Sequence, residues 1–257
     1  MRPILIEFAG IKVHSYYALW TFALCLAVVL TRKRMTDFYM VPDDDARLIV
    51  AAAFLGMFLG ARAGFALEHW RVYLEEPWRL LKFWEGGLSA VPAFLGAGAA
   101  GIIASLSRKV PVWITAESAA VPAAITVALG RWGCFLNGCC FGAVTEAPWG
   151  VVFPGDPEAF IRHPVQLYYS FGALIIAAVL LAVERRRSSG GAFLWPLFMV
   201  FYSILRLIAD PFRAEFPSPG LSAVRITLFA VLAAGILWLF LPRFFGIKRR
   251  KCRNGDT

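Results

Sequence analysis

Seven long apolar stretches, at about 15–31, 48–67, 88–106, 110–129, 164–183, 192–209 and 222–241, constrain this chain more than any other feature. Each approaches the roughly 20 residues that a helix needs to cross a hydrocarbon core of about 30 Å. None alternates apolar and polar residues with period two, so helices are expected rather than a membrane barrel. With 257 residues and seven spans, a large soluble domain is excluded. Only 17% of residues are charged, against about 25% in soluble domains. The sequence predicts an all-α, polytopic membrane protein of about seven transmembrane helices, organised as one integral membrane domain over residues 1–257.

The formal net charge of +9 would suggest nucleic acid in a soluble protein. Here the positions matter more than the sum. Basic clusters occur at Arg32, Lys33 and Arg34; at Arg108 and Lys109; at Arg185, Arg186 and Arg187; and at Arg243 with Lys248, Arg249, Arg250, Lys251 and Arg253. Seven spans place all four clusters on one side, and the positive-inside rule makes that side the cytoplasm. The N-terminus is then outside, the C-terminus is cytoplasmic, and no nucleic-acid partner is expected. No small-residue cleavage site follows the first stretch, so it is expected to stay in the mature protein. The outer segments become 1–14, 68–87, 130–163 and 210–221, and Trp70, Tyr73, Trp78 and Trp84 suit the headgroup layer. The sequence shows no internal repeat, which gives an inverted-repeat transporter no support.

Ionisable groups at membrane depth are functional candidates. Four stand out: Arg62, Glu117, Arg206 and Arg225. Arg62 follows glycines at spacing four, Gly56 and Gly60, with Gly64 beyond, a pattern that lets a neighbouring helix approach closely. Glu117 reads best as the structural partner of a buried donor. Tyr202, Arg206 and Asp210 fall at i, i+4 and i+8 on one helix face. They are either a simple ion pair or a guanidinium held ready for a phosphate, which its planar fork of donors fits.

The densest signal is Gly130-Arg131-Trp132-Gly133-Cys134-Phe135-Leu136-Asn137-Gly138-Cys139-Cys140-Phe141-Gly142. Its glycines permit a tight backbone with positive φ, and Arg131 and Asn137 supply donors, which together suggest an anion cradle. Further on, Pro164 suits the first residue of the fifth span, with His163 at the site's edge. Cys134, Cys139 and Cys140 cluster, whereas Cys25 and Cys252 stand alone. Three thiols with a distant His163 fall short of four zinc ligands at paired spacing, so no metal is expected. Small packing residues are the leading reading, with a disulfide from Cys134 to one of the pair as the alternative.

These residues resemble the bacterial prolipoprotein diacylglyceryl transferases, seven-helix enzymes of the cytoplasmic membrane. Their signature G-R-x-G-N-F-x-N-x-E-x-x-G is matched at Gly130, Arg131, Gly133, Phe135, Asn137 and Gly142. The motif H-P-S-Q-L-Y-E is similar to His163-Pro164-Val165-Gln166-Leu167-Tyr168-Tyr169. His14-Ser15-Tyr16, Gly60-Ala61-Arg62, Trp84-Glu85-Gly86-Gly87-Leu88-Ser89 and the Tyr202, Arg206, Asp210 helix with Phe212-Arg213 also fit.

The resemblance implies transfer of the sn-1,2-diacylglyceryl group from phosphatidylglycerol to the lipobox cysteine of a prolipoprotein signal peptide, in the bacterial inner membrane. A thioether forms, glycerol 1-phosphate leaves, and no cofactor is implied. The catalytic residues are then expected to be Arg131, Arg206, Tyr202, Tyr16 and His163. Substrate binding is expected of Arg131, Asn137, Gly142, Arg62, Gln166 and Asp210. The departures are Val91, where the family commonly has a His, Cys134 and Cys139 for the signature Asn and Glu, and Tyr169 for the closing Glu. Val91 and Tyr169 support the alternative, a non-catalytic relative that binds anionic phospholipid or a lipoprotein partner.

Overall fold

The computed structural model describes residues 2–8, 11–82, 86–87, 89–186, 192–214 and 223–244. Trp84, Glu85, Leu88, Arg187, Cys252 and the terminal basic cluster at 248–253 lie outside the described residues. Helices dominate, and each expected stretch is one of them: α1 (Ser15–Asp37), α2 (Asp43–Glu68), α4 (Ala90–Ser107), α5 (Val112–Asn137), α6 (Val165–Arg186), α7 (Leu194–Ala209) and α8 (Ala223–Phe244). Five are long and apolar enough to cross a membrane, and apolar segments at Val91–Ser107 and Arg225–Phe240 are shorter. The short helix α3 (Trp70–Glu75) and a 3₁₀ turn (Pro77–Leu81) follow α2, with Trp70, Leu74, Trp78 and Leu81 exposed. That exposure suits a segment lying at a membrane interface.

Two small β-ribbons add to the expected helices. Strands β1 (Ile4–Phe8) and β2 (Ile11–His14) pair antiparallel before α1, and β3 (Val151–Val152) pairs with β4 (Ile161–Arg162) before α6. They are too short, or too near a terminus, to carry a readable alternation.

The chain packs as two compact units, Val28–Ser118 and Met1–Ala27 with Ala119–Thr257. In the first, α2 lies against α4 at a distance that only missing side chains allow. A Cβ on Gly60 would stand 2.3 Å from the Pro92 carbonyl oxygen and 2.9 Å from the Gly96 Cα. The glycine spacing therefore does what the sequence predicts. Asp43, Asp44 and Asp45 open α2, where the helix dipole favours negative charge, and Asp43 receives both Arg32 (2.7 and 2.8 Å) and Arg47.

Arg34, one of the basic cluster assigned to the cytoplasmic side, is buried. The cause lies in α5. Pro122 has no N–H to give Ser118 four residues earlier, and the Arg34 Nε donates to that carbonyl instead, at 3.1 Å. Glu117, beside it, is buried as expected.

In the second unit, Ala120, Val121 and Ala124 of α5, Ile176, Ala177 and Leu180 of α6, and Leu194 and Phe198 of α7 form one apolar core. Ala120 and Ala124 of α5 and Ala177 of α6 are its small members, and Ile176 and Leu180 of α6 with Leu194 and Phe198 of α7 are its large ones. This core fixes the ends of α5, α6 and α7, from which the polar residues project.

Gly60→Val is expected to destabilise the protein by about 1–3 kcal/mol through overpacking. Thermal unfolding in detergent checks this against Gly98→Ala as control, since a Cβ on Gly98 meets nothing within 4 Å.

Candidate functional site

Helix α5 continues through Asn137 instead of ending near residue 129, so Arg131 and Asn137 are helical rather than parts of a loop. The helix then closes in a defined way. Gly138 takes φ +74°, its N–H donates to the Phe135 carbonyl at 3.1 Å, and the Cys139 N–H donates to the Cys134 carbonyl at 3.2 Å. This paired arrangement is a Schellman cap, which needs a left-handed residue just past the helix. The expectation of a glycine-opened backbone along the whole stretch is therefore corrected. Of its four glycines only Gly138 has positive φ, while Gly130 and Gly133 are helical and face α1.

Gly142 serves close approach. A Cβ there would meet the Phe212 carbonyl oxygen at 2.5 Å and the His163 Cβ at 2.7 Å. The Gly142 N–H donates to the His163 carbonyl (2.9 Å) and the Ala143 N–H to the Phe212 carbonyl (2.8 Å). The segment after α5 is thereby stitched to the start of α6 and the end of α7.

At the centre of these three ends is Tyr169, fully buried. The Arg131 guanidinium lies 4.6 Å from its ring centroid and that of Arg206 lies 5.6 Å away. The Tyr169 hydroxyl donates to Asp210 Oδ1, and the Nε and a terminal nitrogen of Arg206 both reach Oδ2 at 3.1 Å. Asp210 is itself 3% exposed. Arg206 and Asp210 thus form the ion pair that spacing suggests, and Tyr202, stacked on Phe198, also engages the Arg206 guanidinium. Among the described residues Arg131 has no carboxylate partner. A cation held by an aromatic face keeps its N–H edges for another acceptor.

The remaining expected residues fall around this centre or apart from it. Gln166, buried, donates from Nε2 to the Cys139 carbonyl at 2.7 Å, and the Asn137 side chain reaches the Cys139 thiol. Tyr16, in the first turn of α1, is close enough to Cys134, Cys139 and Cys140 to interact electrostatically with all three. His163 Nδ1 lies 3.0 Å from the Tyr168 hydroxyl, which accepts from Trp149 Nε1 at 2.8 Å. Tyr168 then has its own proton to give, which suits Nδ1 as acceptor and leaves the ring proton on Nε2.

Arg62 belongs to the other unit. There its guanidinium donates to the carbonyls of Leu80, Arg79, Lys82, Gly86 and Gly87, and it lies over the Tyr73 ring. These bonds use it as the anchor of residues 79–82 and 86–87.

One functional-looking pair is absent from the sequence reading. Arg162 forms a two-pronged ion pair with Asp156 (2.6 and 3.0 Å), whose carboxylate also accepts from the Phe160 N–H at 3.1 Å. Arg162 also stacks on Phe141, 4.9 Å from its centroid. The pair ties the 143–162 segment to the end of the signature stretch. The two residues sit six apart in a turn-rich segment, and no helical or strand period links them.

Comparison with known proteins now fits this geometry. The family model described as prolipoprotein diacylglyceryl transferase matches residues 3–241. The chain belongs to the prolipoprotein diacylglyceryl transferase family. It is similar to the phosphatidylglycerol–prolipoprotein diacylglyceryl transferase of Geobacter sulfurreducens, with 30% identity over 97% of this chain and 96% of the relative. The corresponding protein of Wolbachia pipientis from Culex pipiens is 32% identical, covering 96% of this chain and 95% of its own. That of a Nostoc species is 29% identical over 94% of this chain and 90% of the relative. The family match covers both units, including every residue of the Tyr169 cluster.

The Asp156 carboxyl is held below its ordinary value, first by the hydrogen bond from Arg162 and then by backbone donors. A depressed folded-state pKa stabilises the protein above the ordinary carboxylate value and is lost as pH falls through the depressed one. Asp156→Asn is therefore expected to lower the melting temperature at neutral pH and to flatten its fall on acidification. Thermal unfolding of both proteins across that acid range checks it.

Proposed function

We propose that this chain transfers the sn-1,2-diacylglyceryl group of phosphatidylglycerol to the lipobox cysteine thiol of prolipoproteins, in the bacterial inner membrane with its N-terminus outside. The observation that carries the reading is the convergence of Arg131 and Arg206 on one buried ring, Tyr169, beside Asp210.

The reaction breaks the bond between the diacylglyceryl carbon and its phosphate oxygen and forms a carbon–sulfur bond. The electron pair leaves with the phosphate as glycerol 1-phosphate, and the thiol proton passes to a base. No cofactor is needed to balance it. The largest demand is stabilisation of negative charge growing on the departing phosphate, which preorganised donors in a water-poor site meet best. Arg131 offers unpaired N–H edges for this role. Arg206 is oriented by Asp210 and Tyr202, so its guanidinium need not reorganise during the reaction. Asn137 and Gln166 hold the cap that positions Arg131, and Gly142 keeps the chain tight against His163. Tyr16 and His163 are the groups proposed to handle the thiol proton, because no imidazole stands at residue 91. Arg62 acts by holding residues 79–82 and 86–87.

One observation favours the alternative of a lipid-binding, non-catalytic relative: Val91, where the family commonly has a His, is 64% exposed with no proton-transfer group of its own. The two readings give different outcomes in one assay. Purified full-length protein in detergent, given acyl-labelled phosphatidylglycerol and a lipobox peptide, is expected to move label onto the peptide cysteine. Arg131→Ala is expected to reduce that rate on the order of 100-fold or more, as loss of an oxyanion donor does elsewhere. Lipid binding with no labelled peptide from the wild-type protein would overturn the transferase reading, and a near-normal rate in Arg131→Ala would overturn the role given to Arg131.

A further inference from the structure

The three thiols of the signature stretch are brought together more closely than small packing residues require. Cys134, Cys139 and Cys140 place their sulfurs within 4.8 Å of one another, with the Cys139 and Cys140 sulfurs 3.8 Å apart. Three sulfurs bound to one Zn²⁺ at 2.3 Å with tetrahedral angles stand about 3.8 Å apart. The triangle is thus already near the size that a single cation would close.

Local backbone produces it. The Schellman cap turns the chain back at Gly138 and sets Cys139 over Cys134, to whose carbonyl the Cys139 N–H donates. Cys140 then takes φ +59°, a left-handed conformation that a residue with a side chain seldom adopts. Its surroundings resemble those of metal ligands, where outer groups fix the first ones. Gln166 holds the Cys139 carbonyl, and its Oε1, buried, has no hydrogen-bond partner among the described residues. Such an acceptor suits a water molecule on a cation with an open fourth position. Arg131 acts electrostatically on Cys140, so the net negative charge of three thiolates around a divalent ion has a neighbouring countercharge. Cys134 is buried and Cys140 exposed, which leaves an entrance from the Cys140 side.

We infer that Cys134, Cys139 and Cys140 form a three-thiolate site for a thiophilic d¹⁰ cation of the Zn²⁺ class, clamping the end of α5 to the chain that follows it. The site adds to the transfer reaction and does not depend on it. Binding releases the thiol protons to solvent and changes no oxidation state.

The test uses the full-length protein, reduced and purified in detergent, titrated with Cd²⁺ as a thiolate probe and with Zn²⁺ for stability. The expected result is an ultraviolet thiolate-to-cadmium band that saturates at one equivalent and a melting temperature that rises with Zn²⁺. Both effects should persist in Cys25→Ser and be lost in Cys139→Ser. Cys140→Ala, at an exposed position, should lose them while unfolding cooperatively like the wild type without metal. Absence of the band, or a band and thermal shift unchanged in Cys140→Ala, would overturn the inference. So would a Cys134 disulfide to either neighbour in protein isolated without reductant, if the reduced form still bound no cadmium.

Discussion

A guanidinium inside a membrane-spanning helix bundle is costly unless something nearby answers its charge. This protein answers it twice around one side chain. Tyr169 gives its ring face to both Arg131 and Arg206 and its hydroxyl to Asp210, and Asp210 in turn fixes Arg206. The two cations share one aromatic ring, and among the described residues only Arg206 is paired with the carboxylate. The arrangement leaves a deficit of negative charge, which under the proposed function a phosphodiester supplies.

The rest of the second unit exists to hold that group still. The apolar core of α5, α6 and α7 fixes three helix ends, and the Schellman cap at Gly138 returns the chain across the end of α5. Gly142 then allows the backbone to lie against His163 and Phe212, with Asp156 and Arg162 pinning the longer excursion between α5 and α6. Each device is local. Together they convert flexible loop sequence into a rigid border, which electrostatic catalysis requires because donors that must reorganise lose their advantage.

The helices were legible because hydrophobic length is a physical requirement of the bilayer, and all seven stretches appear as helices, with α1 running on to Asp37 and, furthest past expectation, α5 to Asn137. That end was missed because Gly130 and Gly133 read as loop punctuation, whereas the structure uses them for helix packing against α1. Arg206 and Asp210 were legible because helical spacing alone makes them neighbours. The role of Tyr169 was not, since its partners come from α5 and α7 and only the fold unites them. Arg34 and Arg62 show the same limit. Arg62 stands out in the sequence and Arg34 only as part of a basic cluster, and both spend donors on backbone carbonyls. The Asp156 and Arg162 pair has no period at all to announce it.

Under the proposed function Arg131 and Arg206 act on one phosphate and not on two separate tasks. A double-mutant cycle measures this directly, with kcat/KM for phosphatidylglycerol determined in the wild type, Arg131→Lys, Arg206→Lys and the double variant. Groups that work as a unit are strongly non-additive. The double variant is expected to be only slightly slower than the worse single one. Losses that simply multiply, as for two independent sites, would contradict it.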